Sequence, residues 1–383
     1  MPVGLVPPEE LHERVKIGVL VPPLEGAASE FRSGAEGAGI AAYRYALAGV
    51  DVEIITSLDD GTAEGATGAM RSLADSGVGG IVLVANGPHI DGALAEATSA
   101  GLPVVMTNGQ PPRGTNSVWS IAPSLESQAA RIGDALADAG ASRPFVVTDA
   151  TRTGRLVGTK SAVLEDPAAL ATQVVTDFEE RVIDSAIVNA PAKNAADFAT
   201  AVQDRLGGRQ MPLVFTPDAV TPAFSATLAE SGATGGWFMS VGPNTGDQAA
   251  LAHGEAAERA AAFLQALRLA AGDPDCRNIY RDDACSATSV SADIASHDAV
   301  VALVTAASRA GSTAPGDVAR TLLGLKVTGD DGLAGPALDF ANPSALPDAA
   351  ITVLHASSTD PGLRPTSSDS APLRMLFWFA DES

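Results

Sequence analysis

From residue 15 onward the sequence alternates short apolar runs with longer amphipathic stretches, and that alternation leaves few architectures open. Residues 15–21, 50–56, 80–84 and 103–107 are rich in Val and Ile and nearly uninterrupted, as strands covered on both faces must be. Between them, 30–48, 62–76 and 90–100 carry Ala, Leu and Met at the spacing of helices that pack on a sheet. The connections are short, so parallel pairing through crossover helices is the natural arrangement.

The same pattern then begins again. Residues 144–149, 185–189, 212–216 and 236–240 read as a second set of strands, with helical stretches at 195–206 and 220–231. Two successive α/β units imply two similar lobes, and 117–123 reads as the passage between them. A chain of 383 residues with 46% hydrophobic content is long and apolar enough to fill two cores. Beyond residue 240 come two helices, 247–271 and 293–310, the second with Ser291 as its expected cap. Neither is followed by a new strand set, so both are expected to pack on a sheet that already exists. A short helix at 315–323, late strands at 335–340 and 350–355, a Ser/Thr/Pro-rich loop at 357–372 and a docking apolar run at 373–380 complete the chain.

A formal net charge of −22 argues against nucleic acid or an anionic membrane surface, since a phosphate polymer is repelled by such a field. No apolar run is long enough to span a bilayer. Residues 1–14, with Pro2, Pro7 and Pro8, read as a flexible leader without a signal-peptide pattern, so a membrane is expected only through a lipid anchor on a segment already removed. Cys276 and Cys285 stand nine positions apart in a polar segment and form either a local disulfide, which suits an oxidising compartment, or two reduced surface thiols. With no further Cys and five scattered His, no metal site is expected.

In an open parallel sheet, ligands bind beyond the carboxyl ends of the strands. That rule selects the loops 22–31, 86–89 and 108–113 in the first lobe and 151–155, 190–194 and 216–220 in the second. Asn86, Gly87, Asn108, Gly109 and Gln110 offer amide and backbone groups suited to carboxylate, carbonyl or hydroxyl recognition. Asp218 is suited either to a ligand ammonium or to capping the helix that follows, Lys193 either to a cleft or to solvent, and Phe31 either to stacking on a ligand or to the core. Gly34, Gly37 and Gly39 lie within a helical stretch rather than in a turn after a strand, which excludes a dinucleotide fingerprint. His253 and Glu255 lack a third metal ligand, no nucleophile elbow is present, and neither a catalytic residue nor a cofactor is expected.

The segments VKIGVLVPPLEG (15–26), GAEGAGIAAYRY (34–45), IVLVANG (81–87), LPVVMTNG (102–109), PFVVTDATRTG (144–154) and PLVFTPDAV (212–220) resemble type I periplasmic binding proteins. The likeness is to the solute receptors of branched-chain amino-acid ABC transporters and runs from about Val15 to His355. It implies two Rossmann-like lobes with parallel sheets, joined by a three-crossover hinge near Ile121, Val241 and Gly329. The first lobe would comprise 15–121 and 242–329, the second 122–241 and 330–383. It also implies a ligand carboxylate at the loops of Asn86–Pro88 and Asn108–Gln110, a second-lobe contact at Thr153, another near Lys193, and an acid for the amine at Asp218. The hydroxyls and aromatics usual in that family are missing here, so a small amine, amide or carboxylate is as suitable as leucine.

The resulting expectation is a monomeric, secreted or lipid-anchored receptor that holds a small polar ligand in an interlobe cleft and passes it to an ABC permease. The alternatives are a cytoplasmic ligand-sensing regulator of the same fold and, further off, an α/β enzyme acting on a nucleotide or sugar.

Overall fold

Six of the seven residues of VKIGVLV are buried, so this strand needs a packed layer on each face, and helices from two distant parts of the chain supply them. The computed structural model describes residues 2–9, 11, 13–26, 28–152, 156–365 and 376–380. The first stretch holds β1 (Val15–Val21), α1 (Glu36–Leu47), β2 (Val52–Leu58), α2 (Ala63–Asp75), β3 (Gly80–Leu83), α3 (Asp91–Ser99), β4 (Val104–Met106) and β5 (Val118–Ser120). The second holds α4 (Leu125–Asp138), β6 (Pro144–Thr148), β7 (Lys160–Val163), α5 (Pro167–Glu179), β8 (Ser185–Asn189), α6 (Ala192–Leu206), β9 (Leu213–Phe215), α7 (Pro222–Ser231) and β10 (Phe238–Pro243). Then follow α8 (Glu255–Gly272), α9 (Cys285–Thr288), α10 (Ile294–Ala310), α11 (Pro315–Leu322), β11 (Lys326–Val327), β12 (Leu338–Asp339), β13 (Ile351–Ser357) and β14 (Phe377–Phe379).

These elements form two units, Met1–Ala122 with Ala250–Pro347 and Leu363–Ser368, and Pro123–Ala249 with Asp348–Gly362 and Asp369–Ser383. The first three passages fall at 122/123, 249/250 and 347/348, against crossovers expected near Ile121, Val241 and Gly329, and the short segment Leu363–Ser368 adds two more. Residues 330–347 stand with the first unit because they are bonded into it. Trp119 Nε1 donates to the Phe340 carbonyl (3.0 Å), and the backbone N–H groups of Ala334 and Gly335 donate to Asp298 (2.8 Å each). Residues 117–123, expected as a passage, hold both β5, the edge strand of the first sheet, and the passage at 122/123 that follows it.

In unit 1 the parallel order is β2-β1-β3-β4-β5. One face packs Leu20, Ile81, Leu83, Val104 and Met106 against Met70 and Leu73 of α2 and Leu94 of α3. The other face receives α10, which is apolar almost all round and buried along most of its length. Asp293 caps this helix by accepting from Ser296 N (2.6 Å), the role expected of Ser291. Burial raises the Asp293 carboxyl to about 6, with the Ser296 N–H opposing the shift.

The glycine spacing set aside as a nucleotide motif has a packing role here. A Cβ on Gly34 would overlap Asp293 Oδ2, and one on Gly37 the Asp293 carbonyl. The start of α10 approaches α1 closely only because both positions lack a side chain. Gly37→Ala is therefore expected to destabilise unit 1 by about 2 kcal/mol, measured as a fall in the urea midpoint with an unchanged slope.

A buried polar network ties the same two helices together. His297 donates from Nδ1 to Asp298 Oδ1 (2.7 Å), and its Nε2 accepts from Arg44 Nη1 (2.9 Å). Arginine can only donate, which fixes this tautomer. Arg44 Nε also donates to the Val3 carbonyl (2.8 Å), Leu5 N donates to the Arg44 carbonyl (2.9 Å), and the Leu5 side chain is buried. The described part of 1–14 is thus docked on unit 1, where a flexible leader is expected from composition. Buried Leu5 and its paired backbone hold the segment down, and Glu9 exchanges two hydrogen bonds with Ser308 Oγ (2.8 and 2.7 Å).

Unit 2 repeats the layout with an antiparallel addition, in the order β14-β13-β10-β9-β8-β6-β7. Phe215 packs edge-on to Phe224 and Phe238 at 4.9 and 5.7 Å, and Trp378 of β14 closes the cluster on Phe224. The apolar run expected to dock at 373–380 supplies β14 within its described part.

Candidate functional site

Both sheets share one local order. With strands counted from the start of each parallel set, the sequence of neighbours is second, first, third, fourth, fifth. In such a sheet the chain winds outward in opposite directions from a gap between the first and third strands, and the loops there part to leave a crevice at the carboxyl ends. The gap lies between β1 and β3 in unit 1 and between β6 and β8 in unit 2.

In unit 1 the loops after β3 and β4 come together. Gly87 adopts φ 135° and Gly109 φ 76°, and a Cβ on Gly109 would strike the Asn86 side-chain oxygen. Asn108 Nδ2 donates to the Val84 carbonyl and to Thr107 Oγ1 (3.0 Å each), binding one loop to the other. Gln110 Nε2 and buried Ser120 Oγ both donate to the Gly109 carbonyl (3.1 and 2.8 Å), and Ser344 Oγ reaches Gln110 Oε1 (3.4 Å). Asn86, Gly87, Asn108, Gly109 and Gln110 therefore form one polar ledge. Beside it, His89 Nε2 lies 2.8 Å from Asp59 Oδ2, at the end of β2. Phe31 is not on this ledge; it is 6% exposed and belongs to the core.

Its neighbour Arg32 takes the place at the end of β1. Arg32 Nη1 donates to the carbonyl of Pro22, the residue after β1 (2.7 Å), and the guanidinium lies 4.2 Å from the ring centre of Tyr280. Tyr280 belongs to the segment closed by the disulfide between Cys276 and Cys285, whose Cα atoms are 5.5 Å apart. That segment is strapped to the sheet. Ile279 N donates to Glu36 Oε2 (3.3 Å), the Ile279 carbonyl accepts from Thr56 Oγ1 of β2 (3.1 Å), and Tyr280 OH reaches the Arg32 carbonyl (3.5 Å). Burial raises both the Glu36 carboxyl, to about 7, and the Tyr280 hydroxyl.

In unit 2, Asp149 follows β6 and is 7% exposed. Its Oδ1 accepts from the N–H and hydroxyl of Thr151 (2.9 and 2.6 Å), its Oδ2 from Asn194 Nδ2 (2.8 Å), and its own N–H donates to the carbonyl of Asn189 on β8 (2.8 Å). Burial pushes this carboxyl up, yet the Thr151 and Asn194 donors together with Arg152 hold it below the ordinary value. Asp218 lies in the single turn Pro217–Val220 after β9, and its Oδ1 accepts from Arg152 Nη2 at 2.6 Å. Thr216 Oγ1 donates to its other oxygen (3.3 Å), and burial holds its carboxyl above the ordinary value even beside Arg152.

Asp218 therefore neither stands open nor caps α7, whose capping position is Thr221. Lys193 is apart from these groups, 72% exposed on α6 and paired with Asp197 one turn along (2.6 Å). Thr153 lies outside the described residues. Arg32 and Tyr280 escape the sequence reading because the loop rule stops at Phe31 and nothing local brings a residue from position 280 to the end of β1. Arg152 falls inside a selected loop, but its link to Asp218 spans 66 positions.

A depression of about 240 Å³, lined in part by Gln203, Arg209 and Trp237, lies at the amino ends of β9 and β10, away from the unit 2 loops described above. Among the described residues no group of three His, Cys, Asp or Glu side chains is placed to hold a metal, and no helix is long and apolar enough to cross a membrane.

No curated protein matches the sequence. The family model described as periplasmic binding protein matches residues 14–358. Among solved structures, the substrate-binding protein of a branched-chain amino acid transporter from Streptococcus pneumoniae, in complex with isoleucine, is 17% identical with a TM-score of 0.66, covering 90% of this chain and 96% of that one. A leucine binding protein from Thermotoga maritima is 18% identical at TM-score 0.63, covering 89% and 95%. A solute binding protein of an R. palustris ABC transporter, in complex with 4-hydroxybenzoate, is 15% identical at TM-score 0.66, covering 97% and 96%.

Proposed function

The chain belongs to the periplasmic binding protein family, and from that premise we propose that it is an extracytoplasmic solute receptor serving an ABC permease. Its ligand is a small polar molecule, an amino acid, an amide or a small carboxylate. The observation that carries this reading is the matched pair of switch points, each furnished with ordered polar side chains. The candidate ligand groups are the ledge of Asn86, Gly87, Asn108, Gly109 and Gln110 in unit 1 and the group of Asp149, Arg152, Asn194 and Asp218 in unit 2. Isoleucine and 4-hydroxybenzoate, held by two proteins of similar fold, are both small carboxylates and set the size range.

The test is a thermal-shift screen of amino acids, amides and aromatic acids. A ligand held only by the native state adds about 2.7 kcal/mol of stability at a hundredfold excess over Kd, a rise of several degrees in Tm. Asn108→Ala is expected to lower that ligand's affinity about tenfold by loosening the ledge, with native far-UV circular dichroism retained. A screen without a stabilising compound, or turnover of a compound in place of binding, would remove the receptor assignment.

A further inference from the structure

We propose that the ligand is an organic carboxylate without an ammonium group, and that Arg32 is the residue that pairs with its carboxylate. This rests on the receptor reading above and narrows it. Acids and bases at the carboxyl ends of the two sheets are engaged unequally. Asp59 is engaged by His89 and the Gly61 N–H, Asp149 by Thr151 and Asn194, and Asp218 by Arg152. An ammonium ligand would have to break one of these arrangements before it met any of these three carboxylates; Glu25, in the loop after β1, is exposed to solvent, and Glu36 is buried against the Ile279 N–H.

The cations give the opposite result. Arg152 is neutralised by Asp218, whereas among the described residues no carboxylate stands within ion-pair distance of Arg32. Arg32 is also held in place before any ligand arrives. Nη1 is spent on the Pro22 carbonyl, and the Tyr280 ring lies against the guanidinium face. The Nε and Nη2 donors make no hydrogen bond among the described residues, and that edge of a guanidinium is the fork that matches a carboxylate with two parallel bonds. It stands at the end of β1, on the switch point that the topology selects. The disulfide-closed strap has a role in this arrangement, because it carries the ring that fixes the fork.

The test uses matched probes in calorimetry: benzoate against benzamide, and 4-methylpentanoate against L-leucine. The expected result is that one acid binds at least roughly tenfold more tightly than its uncharged or ammonium-bearing counterpart, and that Arg32→Gln collapses this preference toward unity. Arg32→Lys is expected to restore only part of it, since an ammonium lacks the planar fork. The preference is a ratio within one protein, so a general loss of fold in the variant does not mimic it, and the wild-type ratio stands even where a variant fails to fold. Equal or tighter binding of L-leucine or benzamide, or a preference that survives Arg32→Gln, overturns the proposal. A wider screen in which only uncharged or ammonium-bearing compounds stabilise the protein also overturns it while leaving the receptor reading intact; a screen with no hit removes both.

Discussion

Asp298→Ala is expected to cost unit 1 about 4 kcal/mol, seen as an early urea transition. The carboxylate accepts from His297 Nδ1 and from the backbone N–H groups of Ala334 and Gly335, and all three donors belong to buried residues. Alanine leaves every one of them without its acceptor and leaves Arg44 facing an imidazole with no negative charge behind it. A loss below about 1 kcal/mol would mean that water or a repacked side chain takes over the acceptor role. The network also sets a pH dependence. Burial holds the His297 imidazole below its ordinary value, with Arg44 acting in the same sense against Asp298. The native state thus leaves His297 neutral where the unfolded chain takes up a proton, so its contribution is full above the unfolded pKa of about 6.5 and declines as pH falls below it.

Glu36→Gln is expected to act in the opposite direction and to stabilise the protein at pH 8 by about 3 kcal/mol. Burial raises the Glu36 carboxyl from 4.5 to about 7, and the Ile279 N–H and Thr288 hydroxyl only partly offset it. Between those values the unfolded chain releases its proton while the native state keeps it, so native stability falls as pH rises, and above about 7 the whole penalty is present. Glutamine has no charge to bury and keeps an acceptor for Ile279. The gain should therefore be absent near pH 4 and grow to a plateau above pH 7, read from urea midpoints across about pH 4 to 8. A gain that does not vary with pH would assign the effect to packing rather than to the buried charge.

Much of the architecture is legible in the sequence because parallel strands covered on both faces have no room for polar residues. VKIGVLV announces β1 without ambiguity. KSAV, at the edge of the second sheet and only partly covered, carries no such signal, and β7 is accordingly absent from the sequence reading. The site is legible as a set of loops but not as a set of side chains. The rule that ligands gather beyond strand ends finds Asn86, Asn108 and Asp218. It does not reveal that Asp218 meets Arg152, or that Tyr280 supports Arg32, because those pairings depend on contacts across 66 and 248 positions. Lys193 marks the converse limit. Its loop is well placed, but the side chain falls on the outer face of α6 beside Asp197, and only helix phase decides that.

The divided chain of unit 1 has a consequence for how the protein is made. Its sheet is complete in sequence by Ser120, but the helix that covers one of its faces ends at Ala310. At roughly 5 to 20 residues per second, a ribosome needs roughly 10 to 40 s to cross that interval. Throughout it the nascent polypeptide carries an oily, half-dressed layer, and all of Pro123–Ala249 emerges before the missing cover does. Order of birth and order of completion are thus uncoupled, which favours any route that keeps the newborn chain unfolded and guarded until its last third has been delivered.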